Sequence, residues 1–126
     1  MVTVDISQLS GECNTWRESL RSCREDLNQL KDQLQKTAGK ELSKELLHDV
    51  EHYHNQFHIQ LINVHDLKHS IKAHDRRVQF ETSANNGQLT EETIAEHERL
   101  FDEYQSLEST IKSLHDEFGD FMNRTS

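Results

Sequence analysis

Histidine is the residue type this chain uses beyond what a helical protein needs. Seven of its nine histidines, His48, His52, His54, His58, His65, His69 and His74, fall within residues 45–78. An imidazole ligates zinc or iron when neutral and gains charge near neutral pH, so a cluster suggests metal binding or acid sensing. The same stretch has no Gly or Pro and reads as helix. At about 100° per residue, His54, His58, His65 and His69 project from one flank within about 60° of arc. His54 with His58 and His65 with His69 have the i, i+4 spacing that lets two imidazoles share a metal. Glu51 with His54 has the Glu-x-x-His spacing of di-metal bundles.

The rest of a metal motif is missing. A di-iron bundle needs a second Glu-x-x-His, but Ile94 and Lys112 stand three residues before His97 and His115. Neither His-Glu-x-x-His nor Cys-x-x-Cys occurs. Two simple hairpins centred near residues 40 and 86 would bring Cys23, His58 and His115 to one level, with His54 beside them. That set is acceptable to zinc and is the nearest approach to a ligand group, short of a complete site. The ordinary expectation is that His54, His58, His65 and His69 are boundary residues, burying a ring edge and hydrogen-bonding at a helix interface. A further alternative is a pH-responsive assembly: imidazoles held neutral between helices would charge below their usual pKa of about 6.5 and weaken association.

Cys13 and Cys23 lie ten residues apart on one helical stretch. That is roughly 15 Å along the axis, too far for a disulfide within the helix. Both fall on an apolar seam and read as small buried hydrophobes in a reducing compartment. No glycine-rich phosphate loop and no nucleophile elbow is present, so neither an enzyme nor a cofactor is expected.

The elements that position these residues follow from composition. Apolar residues make up 33% and charged residues 29%, with four glycines and no proline. Each element can therefore bury only a narrow stripe, which suits long helices packed side by side. Ile6, Leu9, Cys13, Trp16, Leu20, Cys23, Leu27, Leu30 and Leu34 are spaced 3, 4, 3, 4 throughout, a heptad seam. Asp5 reads as its N-cap, and Thr37-Ala38-Gly39-Lys40 as a turn in which Gly39 can take a left-handed conformation. Ser43 is the next N-cap, with Leu42 and Leu47 at staple spacing. The second seam runs through Leu46, Val50, Tyr53, Phe57, Val64, Leu67, Ile71 and Val78, with the polar Gln60 and His74 occupying seam positions. Residues 82–87 form the second turn, Thr90 caps the third helix, and Ile94, Phe101, Tyr104, Ile111, Phe118 and Met122 align, with Leu100, Leu107, Leu114 and Phe121 beside them.

The expectation is an all-α, antiparallel up-down-up bundle of three long coiled-coil-like helices at about 6–37, 44–81 and 91–122, one domain over residues 1–126, with dimerisation as one way to complete its packing. Its core seam is marked by Trp16, Leu20, Leu27, Val50, Phe57, Val64, Ile71, Phe101, Ile111 and Phe118.

Net charge is −9, and residues 83–126 carry ten acidic against three basic side chains. A chain with no basic stripe is not expected to bind nucleic acid or anionic membranes. No apolar run is long enough to span a bilayer, and the N-terminal MVTVDISQ lacks the pattern of a signal peptide, so the expected location is cytoplasmic.

Asn14-Thr15-Trp16, residues 51–57 (EHYHNQF) and residues 67–71 (LKHSI) resemble a group of short, uncharacterised bacterial coiled-coil and helical-bundle proteins. The likeness covers about residues 13–75 and implies a helical, soluble, bacterial protein; it carries no functional residue. The functional expectation is a structural or protein-interaction module that works by helix packing and self-association, its partner a protein and first of all a second copy. The alternatives are a His-lined zinc or iron bundle and the pH-responsive assembly.

Overall fold

The computed structural model describes residues 6–39 and 42–125. The chain forms three helices, α1 (Ile6–Ala38), α2 (Lys44–Ala84) and α3 (Glu91–Thr125). Three cross-helix bonds fix their directions. Ser10 Oγ donates to Asp75 Oδ1 at 3.1 Å, which with the short turn sets α1 antiparallel to α2. Ser19 Oγ donates to Glu108 Oε2 at 3.0 Å, and Thr37 Oγ1 to Met122 Sδ at 3.4 Å, so α3 runs parallel to α1.

Each helix buries a heptad stripe. On α1 it is Leu9, Cys13, Trp16, Leu20, Leu27, Leu30, Leu34 and Thr37, with Cys23 half-buried between. On α2 it runs unbroken from Val50 to Glu81 and includes Gln60 and His74. On α3 it is Thr93, His97, Leu100, Tyr104, Leu107, Ile111, Leu114, Phe118 and Phe121. The stripes meet in one core. At the α2–α3 end distant from Trp16, the Tyr53, Phe57, Phe118 and Phe121 rings pack together, the Phe57–Phe118 pair edge-on at 5.1 Å.

The α3 stripe departs from the sequence expectation by one position. Thr93 and His97 take the buried places, while Ile94 is half-buried and Phe101 is 39% exposed, stacked on Trp16 at 5.7 Å. An apolar count favours Ile94 and Phe101, but a stripe that keeps Leu100, Leu107, Leu114 and Phe121 inside must also bury Thr93 and His97, which lie on the same line. The other expected seam residues, Trp16, Leu20, Leu27, Val50, Phe57, Val64, Ile71, Ile111 and Phe118, are buried.

Caps set the helix ends. Ser43 Oγ accepts from Leu46 N at 3.3 Å, and Thr90 Oγ1 accepts from Thr93 N at 3.2 Å. Between α2 and α3, Asn86 and Gly87 take positive φ of 52° and 83°, which turns the chain. The helices run to Ala38, Ala84 and Thr125, past the expected ends at 37, 81 and 122. Gly39 has no positive φ: its N–H closes a last helical bond on Gln35 O at 3.1 Å, so α1 ends without the left-handed residue expected there. Leu47 of the expected staple is 45% exposed, and the expected cap Asp5 lies outside the described residues.

Candidate functional site

Two arrangements stand out, a buried sulfur–imidazole cluster and a basic groove. The cluster lies toward the N-terminal ends of α1 and α3. Cys13 of α1, His74 of α2 and His97 of α3 each occupy a heptad core position, and each offers one ligand-type atom, all within 4.8 Å of one another. Their exposures are 0%, 3% and 6%, so all three are sealed from bulk water.

The hydrogen bonding is directional. Glu12 Oε2 lies 3.2 Å from His97 Nε2, and a carboxylate only accepts, so His97 carries its proton on Nε2. Its Nδ1 is then a lone pair, 2.9 Å from His74 Nε2, which donates. That leaves His74 Nδ1 as a buried lone pair with no donor among the described residues. Burial, and then the adjacent His97, lowers the His74 pKa from its ordinary value, while nearby Glu96 and Asp75 oppose the shift. Burial, with Asp75 and Glu12 adding to it, pushes the Cys13 thiol up to about 11. The Trp16 ring covers His97 at 4.7 Å between centroids.

The second arrangement is a groove of 440 Å³ between α1 and α2. Arg17, Arg21 and Arg24 line one wall and Lys68 and Lys72 the other, with Glu18 the one carboxylate among the lining residues. Arg17 is held by a hydrogen bond to Asn14, and His65 and His69 face each other along the rim with Nε2 atoms 3.2 Å apart. Partial burial, then Arg21, Arg24 and Arg17, lowers the Lys68 pKa, a sign that these cations crowd one another. The expectation of no basic stripe is thereby corrected. Arginines one turn apart on α1 meet lysines one turn apart on α2, and the count of six acidic against six basic residues in the first forty positions conceals this.

The flank histidines His54, His58, His65 and His69 are all exposed; His54, His65 and His69 line the edges of grooves between α1 and α2, and His58 lines neither of them. The expected ligand group is not assembled. Cys23 and His115 line one groove between α1 and α3, but His58 is exposed on α2 and does not line it. Among the described residues, Cys13, His74 and His97 are the one group of three such side chains close enough to share an ion. The cause is register: Ser10 meets Asp75 rather than residue 70, the partner for a hairpin centred on residue 40. This five-residue offset, about 7 Å at 1.5 Å per residue, carries Cys23 past His58 and Cys13 up to His74. The signal for the observed cluster was present in the sequence, because Cys13 and His74 both stand on seams.

No known protein family, curated protein or solved structure matches this chain.

Proposed function

We propose that the chain is a self-associating helical interaction module, in which the acidic outer face of α3 of one copy docks in the basic α1–α2 groove of the next. The observation carrying this reading is the segregation of charge: five cations face one carboxylate in the groove of a chain whose net charge is −9. Along α3, Glu91, Glu92, Glu98, Asp102, Glu103, Asp116, Glu117 and Asp120 are exposed. Glu98 with Asp102 and Asp116 with Asp120 repeat the one-turn spacing of Arg17 with Arg21. Opposed faces of this kind speed encounter, fix register and reject wrong partners. A nucleic-acid backbone would meet the same five cations, but also the net negative field of everything around them.

Groove and acidic face belong to different sides of the bundle, so the association is head-to-tail rather than a two-fold dimer. Light scattering on the untagged chain at micromolar concentration tests it. In dilute buffer the mass exceeds the 14.8 kDa of one chain, and it returns to one chain at about 0.5 M salt, where screening shortens to a few ångströms. A single-chain mass in dilute buffer overturns the proposal.

The pH-responsive alternative is favoured by one contact, the His65–His69 pair at the groove rim. Its sign is the reverse of the sequence expectation. Both rings are exposed and face Arg17, Arg21, Arg24, Lys68 and Lys72, with Glu18 and Asp66 nearby. Protonating them raises the positive charge of the groove, so acidification strengthens docking of an acidic face. A mass that falls between pH 7.5 and 5.5 would sink this alternative.

A further inference from the structure

The structure assigns a second site that is independent of the groove: we propose that Cys13, His74 and His97 bind one zinc ion, which ties together all three helices. Three observations converge on it. Each helix contributes one ligand, and the three ligand atoms already lie within 4.8 Å. All three side chains are buried at core positions where Leu or Ile would fill the seam at lower polar cost. Glu12 occupies the far nitrogen of His97, the carboxylate–histidine arrangement that orients a metal-bound imidazole and raises its basicity. The ion sits on His74 Nε2 and His97 Nδ1, the two nitrogens that already face each other, which leaves His74 Nδ1 to carry that ring's proton.

The chemistry of the set selects the ion. One thiol and two imidazoles are a soft-to-borderline group that suits zinc and disfavours magnesium or calcium, which take oxygen ligands. Zinc bonds are about 2.0–2.1 Å to nitrogen and 2.3 Å to sulfur, so tetrahedral ligand atoms end up about 3.3–3.6 Å apart. The two facing imidazole nitrogens, now 2.9 Å apart, open by a few tenths of an ångström, and the widest pair closes by about 1 Å. Side-chain rotation supplies such shifts. Binding sends the Cys13 proton to solvent, and the His74 proton moves from Nε2 to Nδ1, so that both facing nitrogens offer a lone pair to the dication and the ring stays neutral. With the Cys13 thiolate and the Glu12 carboxylate, the +2 charge is balanced. The Glu12 side chain is 37% exposed, so this corner is the route by which the ion arrives, and a water fills the fourth position.

The site also carries its own reporter. Trp16 is the one tryptophan of the chain and lies tilted over His97, 4.7 Å between ring centroids. Chelator-treated, untagged full-length protein is titrated with zinc while Trp16 fluorescence and thermal unfolding are followed. One equivalent is expected to change the emission and raise the melting temperature. Cobalt(II), used as a spectroscopic substitute, is expected to give tetrahedral bands and a thiolate-to-cobalt charge-transfer band. Cys13→Ser removes the charge-transfer band and weakens zinc binding by at least about 100-fold, while Glu12→Gln weakens it by about 10- to 100-fold. Cys23→Ser and His58→Ala leave both unchanged. Absence of the charge-transfer band in the wild type overturns the proposal without relying on any variant. So does zinc binding that survives Cys13→Ser in a protein that remains helical by circular dichroism.

Discussion

Glu81 and His74 are two of the polar side chains buried in this bundle, alongside Thr37, Gln60, Thr93 and His97. Glu81 is 6% exposed and accepts from Arg77 Nε at 2.9 Å, Thr90 N at 2.9 Å and the Thr93 hydroxyl, so it closes α2 onto the first turn of α3. Burial works against its charge, but these donors outweigh burial and hold its pKa at about 2. Glu81→Ala strands two α3 donors and is expected to lower unfolding free energy by about 2–3 kcal/mol, read by urea denaturation. The folded pKa lies below the unfolded value of about 4.3, so this stabilisation is complete above that pH and is lost as the pH falls toward 2. The variant therefore loses less stability over that interval than the parent. His74 titrates in a different window. Its folded pKa is lowered, so the unfolded chain takes up its proton first and stability declines as the pH falls through about 6.5. Glu12, Asp75, Glu96, Arg77 and His97 all act on this site, so the clean measurement is the difference in urea midpoint between pH 7.5 and 5.5. His74→Gln, which cannot protonate, is expected to shrink that difference.

At the scale of the helices, heptad spacing made the architecture legible before any coordinates. Leucines and aromatics every three and four residues fix which face of a helix is buried; the expected faces of α1 and α2 are buried, and that of α3 is turned by one position toward Thr93 and His97. Cap chemistry at Ser43 and Thr90 was equally local and equally readable. What stayed hidden was longitudinal register, because a heptad seam slides by whole turns at little cost to its apolar pattern. The bonds that set register, such as Ser10 to Asp75, join residues far apart in sequence. The candidate cluster and the basic groove both depend on register, so spacing showed which residues were unusual but not which would meet. The same element-level reasoning identifies two weak points. Gly11 and Gly119 sit within α1 and α3, and a Cβ added at either meets nothing within 4 Å. Gly11→Ala and Gly119→Ala are each expected to stabilise the bundle by up to about 1 kcal/mol, seen as a higher melting temperature.

For the whole molecule, the proposed association needs a docking surface, and the bundle presents two kinds of candidate. One is the basic groove between α1 and α2. The other is a sparse apolar line on the outer side of α2, where Ile59, Ile62 and Phe80 are 45%, 47% and 71% exposed. Ile59 and Ile62 are one turn apart, but Phe80 is 18 residues further on, roughly 27 Å at 1.5 Å per residue, so the line is too broken for a continuous coiled-coil seam. The groove, by contrast, packs three cations into residues 17–24 of α1 and two more, Lys68 and Lys72, one turn apart on α2. The two surfaces respond oppositely to salt, since screening weakens charge pairing while excluded salts strengthen apolar burial. Arg21→Glu is expected to leave a single-chain mass in dilute buffer, and Ile62→Glu to leave the associated mass intact. Neither change touches the buried stripes, so helicity and melting temperature stay near those of the parent and isolate the effect to association. If Ile62→Glu alone dissociates the chain, copies pack through the outer face of α2 and the charge pairing proposed for the groove is wrong.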